Sequence, residues 1–305
     1  MLQLKKNNWW PSKYGPDDRI GTLNEISPNK VVEAVELVTQ GRTYDLGRTL
    51  DQDIPAFPGR SFKQTLITSA HMINRRAGAG IAKEGLGKNG VNWITELVYS
   101  TFQLGTHIDA LNHLQIGTRC YNGCPLNEIV EEWGTNKLGI ETVPQVITRG
   151  ILLDIASLKG VKRLEKGYVI TVEDLESALE RGSVGIRRGD AVFFHTGWGE
   201  LWMKDNRRYL SGEPGPGTEL ALRLVEDGVA LTGCDTWSFG PVPPEDPDAP
   251  FVVPQTLNVK HGMFIVENLF TSELSEDRVH EFLFILTHPK VRGATGGWVS
   301  PLAVV

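Results

Sequence analysis

Two hydrophobic periods alternate along the chain. Val31, Val32, Ala34, Val35, Leu37 and Val38 trace one face of a helix. Ser27-Pro28 ahead of them supplies an N-cap and a proline at the first helical position, and Gly41 supplies a stop. Residues 43–50 and 64–73 read as strands on either side of a proline-bounded turn at 55–58. Residues 93–102 are again rich in β-formers and lead into the polar run Gln103-Leu104-Gly105-Thr106-His107-Ile108-Asp109-Ala110-Leu111-Asn112-His113. A turn region with Gly117 and Cys120-Tyr121-Asn122-Gly123 follows, then a short helical piece at 126–133.

Beyond it the alternation becomes more regular. Residues 146–154 form a strand, and Thr171 begins a helix with Glu173 and Asp174 in its first turn and Gly182 at its stop. The apolar run 190–195 reads as a buried central strand ending at His195. A helix at 218–226 leads through Gly228 into a second buried strand, 229–234, which ends in Asp235-Thr236-Trp237. Residues 240–254 carry six prolines, which predicts a stiff loop walling a pocket rather than a helix or central strand. Strands at 263–269, with Glu267, and at 281–286 precede a Gly-rich end at 293–297. Strands outnumber helices and no repeat or linker is visible. The pattern predicts one mixed α/β, β-rich domain spanning residues 1–305 rather than a Rossmann sheet. Residues 1–27, with Trp9 and Trp10, read as an ordered arm that covers an apolar surface or lids a pocket.

Composition narrows the function classes. Over 305 residues, 40% hydrophobic, the net charge is −6, and the 31 Lys and Arg residues are dispersed. There is no basic footprint for nucleic acid or an anionic membrane, so the expected partner is a small molecule. No stretch has the length of a membrane span or signal core, which makes the cytoplasm the expected location. Three cysteines, Cys120, Cys124 and Cys234, do not make a disulfide framework. The glycines of residues 77–90 match neither a Walker loop nor a dinucleotide fingerprint and suggest an active-site flap.

The candidate chemistry lies in the polar run. On a strand, His107 and Asp109 point to one face with Cα atoms roughly 6.5 Å apart, close enough to converge on one divalent ion. Asp109 and His113 are four apart, which suits a helical turn begun after the strand. Gln103 would lie roughly 13 Å from His107 along an extended strand unless the chain bends, and Gly105 permits a bend. His195 and Asp235 end strands, where α/β proteins place pocket residues. Trp93 and Trp237 would suit a flat substrate. Each of these four also has a plain packing or capping reading. No Gly-x-Ser-x-Gly elbow supports a nucleophile-triad hydrolase.

Gly105-Thr106-His107-Ile108-Asp109, with His113 four further on, resembles the His-x-Gly-Thr-His-x-Asp-x-Pro-x-His signature of the metal-dependent cyclase-like hydrolases, which include bacterial kynurenine formamidase and isatin hydrolase. The resemblance extends to Asp17-Asp18-Arg19-Ile20-Gly21-Thr22-Leu23-Asn24, Tyr121-Asn122-Gly123, His195-Thr196-Gly197-Trp198, Asp235-Thr236-Trp237 and Ile265-Val266-Glu267-Asn268-Leu269. It implies a swivelling β/β/α fold, a homo-oligomer (dimer or tetramer), and one or two Zn or Mn ions that activate water against a small amide, lactam or lactone carbonyl. Residue by residue it places His107, Asp109 and Glu267 among the metal ligands, with Gln103, at the first signature histidine, as a further candidate ligand. His113 or Glu267 would carry the proton. Three positions depart from the signature: Gln103 and Pro254 stand where histidines are expected, and Leu111 replaces the proline. The two lost histidines keep open two rivals: a ligand-binding relative without turnover, and a metal-assisted lyase or isomerase.

Overall fold

The apolar runs ending at Asp154, His195, Cys234 and Glu267 carry few polar side chains on either face, so they are stable only as inner strands of a sheet covered on both sides. In the structure, a computed structural model that describes residues 9–67, 88–91 and 93–305, they are its centre. Val146–Asp154, Ala191–His195, Leu231–Cys234 and Phe264–Glu267 lie side by side and parallel. Antiparallel strands extend the sheet to nine. Glu281–Leu286, Leu302–Val304 and Thr43–Asp45 are added beside Val146–Asp154, and His107–Asp109 and Gly296–Trp298 beside Phe264–Glu267.

Helical crossovers return the chain between the parallel strands and bury one face. Val172–Gly182 starts after Thr171, as the sequence predicts, and carries a capping box in which Thr171 Oγ1 accepts from the Asp174 amide and Asp174 accepts in turn from the Thr171 amide. Thr218–Glu226 makes the second crossover. Leu175, Leu220 and Leu224 pack on Ile151, Val192 and Ile265. The alternate side chains Leu152, Phe193, Phe264 and Val266 enter the opposite core with Ile108, Phe282 and Phe284.

Several elements differ from the sequence reading. The first helix, Pro28–Val35, has the expected Ser27 cap but ends before Leu37. The strand expected at 43–50 stops at Asp45, where Leu46 turns to bond the Pro301 carbonyl. Phe62–Leu66 pairs with Glu96–Ser100 in a separate two-stranded ribbon, and the rest of the strand expected at 64–73 lies, beyond residue 67, outside the described residues. So does the flap expected at 77–90, up to residue 87. The proline loop ends in helix after all. Pro254 sits inside the short helix Val252–Gln255, in a first turn whose N–H groups have no intrahelical acceptor to lose. That turn runs into a π-helical segment, Thr256–His261.

From Trp9 on, the N-terminal arm covers rather than lids. Asn122 accepts from the Ser12 amide and donates to the Gly15 and Pro16 carbonyls, and Trp10 lies where a Cβ on Gly123 would stand. Among the described residues no helix is long and apolar enough to cross a membrane.

Candidate metal centre

The strand His107–Asp109 pairs with Phe264–Glu267, with Glu267 opposite His107 and Val266 opposite Ile108. Because side chains alternate, Ile108 and Val266 go into the core while His107, Asp109 and Glu267 share the other face. This happens at the carboxyl end of the parallel strands, the usual place for a site in an open α/β sheet.

The geometry is set by the bend the sequence allowed. Gly105 has φ +62, and a Cβ there would lie 2.2 Å from Leu50 Cδ2. The bend brings the Gly105 carbonyl to 2.9 Å from His107 Nδ1, and because a carbonyl only accepts, Nδ1 carries the proton. His107 Nε2 therefore faces the carboxylates, 3.3 Å from Glu267 Oε2 and 3.6 Å from Asp109 Oδ1. All three residues are buried, and among the described residues neither Nε2 nor Asp109 Oδ1 finds a hydrogen-bond partner. Orphaned buried polar atoms are costly, which calls for an explanation at such a spot. Burial pushes the His107 imidazole down, but the Glu267 and Asp109 carboxylates more than offset it and hold it up at about 8. Burial, reinforced by the charge on Asp109, raises the Glu267 carboxyl.

The donor set fits a divalent ion. Ligand atoms bound at about 2.1 Å to one tetrahedral or octahedral ion stand roughly 3.0–3.4 Å apart. The observed 3.3 and 3.6 Å are close to that spacing, and the three ligand atoms all lie within 4.8 Å of one another. One nitrogen and two carboxylates, with no thiolate, suit Mn²⁺ or Zn²⁺. His113 is half-buried, with Nε2 3.9 Å from Asp109 Oδ2. Gln103 borders the same space, its amide nitrogen donating to Thr295 Oγ1 at 3.0 Å.

A cleft of about 450 Å³ opens over these residues. Asp109, Glu267, His113 and Gln103 form its polar floor, and Phe57, Trp237, Phe251 and Pro254 supply an apolar wall. Trp237 meets Phe57 edge-on at 4.6 Å between ring centres and Phe251 at 6.3 Å. The proline loop thus contributes to the wall. Glu213, fully buried behind it, accepts from the Trp237 and Ser238 amides at 2.9 and 3.2 Å and fixes that turn. Burial, and then the charge of Glu267, pushes the Glu213 carboxyl well above its ordinary range.

Three expected pocket residues lie elsewhere. Trp93 is 45% exposed and does not border the cleft. His195 is buried, with Nδ1 2.7 Å from Thr271 Oγ1. Asp235 accepts from the Thr196 and Gly199 amides and the Thr196 hydroxyl, closing the loop after the neighbouring strand. His195 is thus held by a side-chain hydroxyl and Asp235 by strand-end backbone, which leaves the cleft to Trp237. Phe57, Arg60 and Ser238 border the cleft without a sequence signal that singled them out.

Residues 44–241 match the sequence profile of the cyclase family, and the chain belongs to that family. A solved structure described as a novel cyclase is 30% identical, with 99% of this chain and all of that one aligned at a TM-score of 0.86. More distant structures share the fold. Isatin hydrolase A from Ralstonia solanacearum is 19% identical over 87% of this chain and 92% of its own, at a TM-score of 0.62. A protein described as a predicted metal-dependent hydrolase from Bacillus stearothermophilus is 17% identical over 87% and 98%, at 0.53. No curated protein matches the chain.

Proposed function

We propose that this protein is a metal-dependent hydrolase that opens a small cyclic or aryl amide, lactam or lactone. The observation that carries the proposal is the buried trio His107, Asp109 and Glu267, whose orphaned donor atoms converge at ion-ligand spacing under an aromatic-walled cleft. Hydrolases of the same fold, isatin hydrolase among them, support the reaction class. His107 Nε2, Asp109 and Glu267 would hold one divalent ion, Mn²⁺ or Zn²⁺. When bound there, it supplies Lewis-acid activation of water and of the substrate carbonyl.

The chain's own groups do the rest. The Gly105 carbonyl holds the proton on His107 Nδ1 and keeps Nε2 toward the site. Phe57, Trp237 and Phe251 orient a planar substrate and exclude water from one side. Water adds to the carbonyl carbon, the C–N or C–O bond breaks, and the departing nitrogen or oxygen takes the proton that the water gave up. His113 Nε2, in the cleft and less buried than Glu267, carries that proton.

One observation favours a second reading, binding without turnover. Pro254 offers the cleft only hydrocarbon, and the Gln103 amide nitrogen is tied to Thr295. The test is a panel of cyclic and aryl amides, lactams and lactones incubated with the Mn²⁺- or Zn²⁺-loaded chain. Turnover that disappears in His107→Ala and falls mainly in kcat in His113→Gln supports the hydrolase. Tight ligand binding with no turnover anywhere in the panel would establish the second reading in its place.

A further inference from the structure

We propose that the substrate carries a carboxylate and that Arg60 binds it. The inference rests on the hydrolase reading of the same cleft and names its substrate class. The ionisable groups bordering the cleft are Asp109, Glu267, His113 and Arg60. A divalent ion at the trio balances the two carboxylates. The guanidinium then remains as a fixed positive charge in the cleft that Phe57, Trp237 and Phe251 wall.

Arg60 is placed for this. Its Nη1 donates to the Gln103 carbonyl at 3.2 Å, which anchors the side chain to the segment leading into His107. A guanidinium has five N–H donors in a planar fork, so one such bond leaves others for a planar carboxylate. Among the described residues no carboxylate pairs with it. Arg149 shows the contrast: its guanidinium is consumed by Asp190, Glu281 and the Gly185 carbonyl. An anionic substrate gains a charge-assisted pair with Arg60 that a neutral one does not make. Recognition therefore has three points: the carbonyl at the metal centre, a ring against Phe57 and Trp237, and the anion at Arg60.

The test uses matched pairs of aryl lactams or lactones that differ only in bearing a carboxylate or a primary carboxamide. A parallel calorimetric titration uses a non-hydrolysable aryl carboxylate and its carboxamide on the metal-loaded chain. The loaded protein is expected to prefer the acid by about 10- to 100-fold in kcat/KM, mostly through KM. Arg60→Met should collapse that ratio toward one, and Arg60→Lys should retain part of it, since an ammonium keeps the charge but not the fork. A carboxamide turned over as well as its acid, with the ratio unmoved in Arg60→Met, overturns the inference and leaves the hydrolase reading standing. If nothing is hydrolysed, the hydrolase reading falls and the titration decides for Arg60. Tighter carboxylate binding that is lost in Arg60→Met upholds the assignment, and equal binding of acid and amide overturns it.

Discussion

Gly296 pairs with Asp109 across the edge of the sheet, and no side chain has room there. A Cβ on Gly296 would stand 2.8 Å from the Ile108 carbonyl oxygen, 3.0 Å from Gln103 Nε2 and 3.6 Å from Asp109 Oδ1. The nearest atom is backbone of the strand that carries both His107 and Asp109, so relief requires moving the strand itself by a few tenths of an ångström. Overpacking of this kind costs about 1–3 kcal/mol, or a melting temperature lowered by roughly 2–6 °C in a chain of this size. Displacing the strand also loosens the metal centre, and disturbances of groups that orient metal ligands typically cost about 10- to 100-fold in affinity. Thermal denaturation and metal titration of Gly296→Ala check both numbers. Gly185→Ala is the control, because a Cβ there has nothing within 4 Å. A Gly296→Ala protein with wild-type melting and wild-type metal affinity would refute this packing of the two strands.

Other perturbations give distinct outcomes. Asp190 is fully buried and accepts from Arg149 Nε and Nη2 at 3.0 and 2.8 Å while pairing with Lys30; Asp190→Ala leaves the buried Lys30 without its carboxylate and Arg149 with only that of Glu281, and should cost about 3–5 kcal/mol in urea denaturation. Burial would raise the Glu25 carboxyl, but hydrogen bonds from Lys13, Tyr14 and Arg188 bring it down to about 2. Its contribution is therefore present above pH 4.5 and lost as pH falls toward 2, so Glu25→Gln should lower the melting temperature at pH 7 and leave it unchanged near pH 2. In ion-free protein the His107 imidazole, raised from 6.5 to about 8, contributes stability that is full below pH 6.5 and lost as pH rises through 8. That rise corresponds to about 2 kcal/mol, and melting of chelator-treated protein between pH 6 and 9 should show the decline, absent in His107→Ala.

The elements legible in the sequence are those with a complete local signal. Val146–Asp154, Thr218–Glu226 and Glu281–Leu286 have the bounds their hydrophobic patterns predict, and the helix start after Thr171 was visible in its acidic first turn. The convergence of His107 and Asp109 followed from strand periodicity, and Glu267 came from resemblance alone, because pairing across a sheet between residues 160 apart leaves no local trace. The cleft wall was less legible. Phe57 and Arg60 lie on an irregular segment whose approach to Trp237 depends on tertiary packing. His195 and Asp235 misled for a physical reason: strand ends collect polar side chains for local hydrogen bonding as well as for chemistry, and here Asp235 caps the loop after the neighbouring strand while His195 bonds the Thr271 hydroxyl. Pro254 was compatible with helix because it falls in a first turn, where a missing N–H costs nothing.

In the proposed hydrolase, His107, Asp109 and Glu267 hold one divalent ion. The direct measurement is calorimetric titration of chelator-treated protein with Mn²⁺ and Zn²⁺, alongside His107→Ala, Asp109→Asn and Glu267→Gln. One ion per chain is expected for the wild type, with binding weakened at least about 100-fold in each variant, because a ligand rather than its supporting partner is removed. A wild-type chain that takes up neither ion, or three variants that bind as tightly as the wild type, would contradict it.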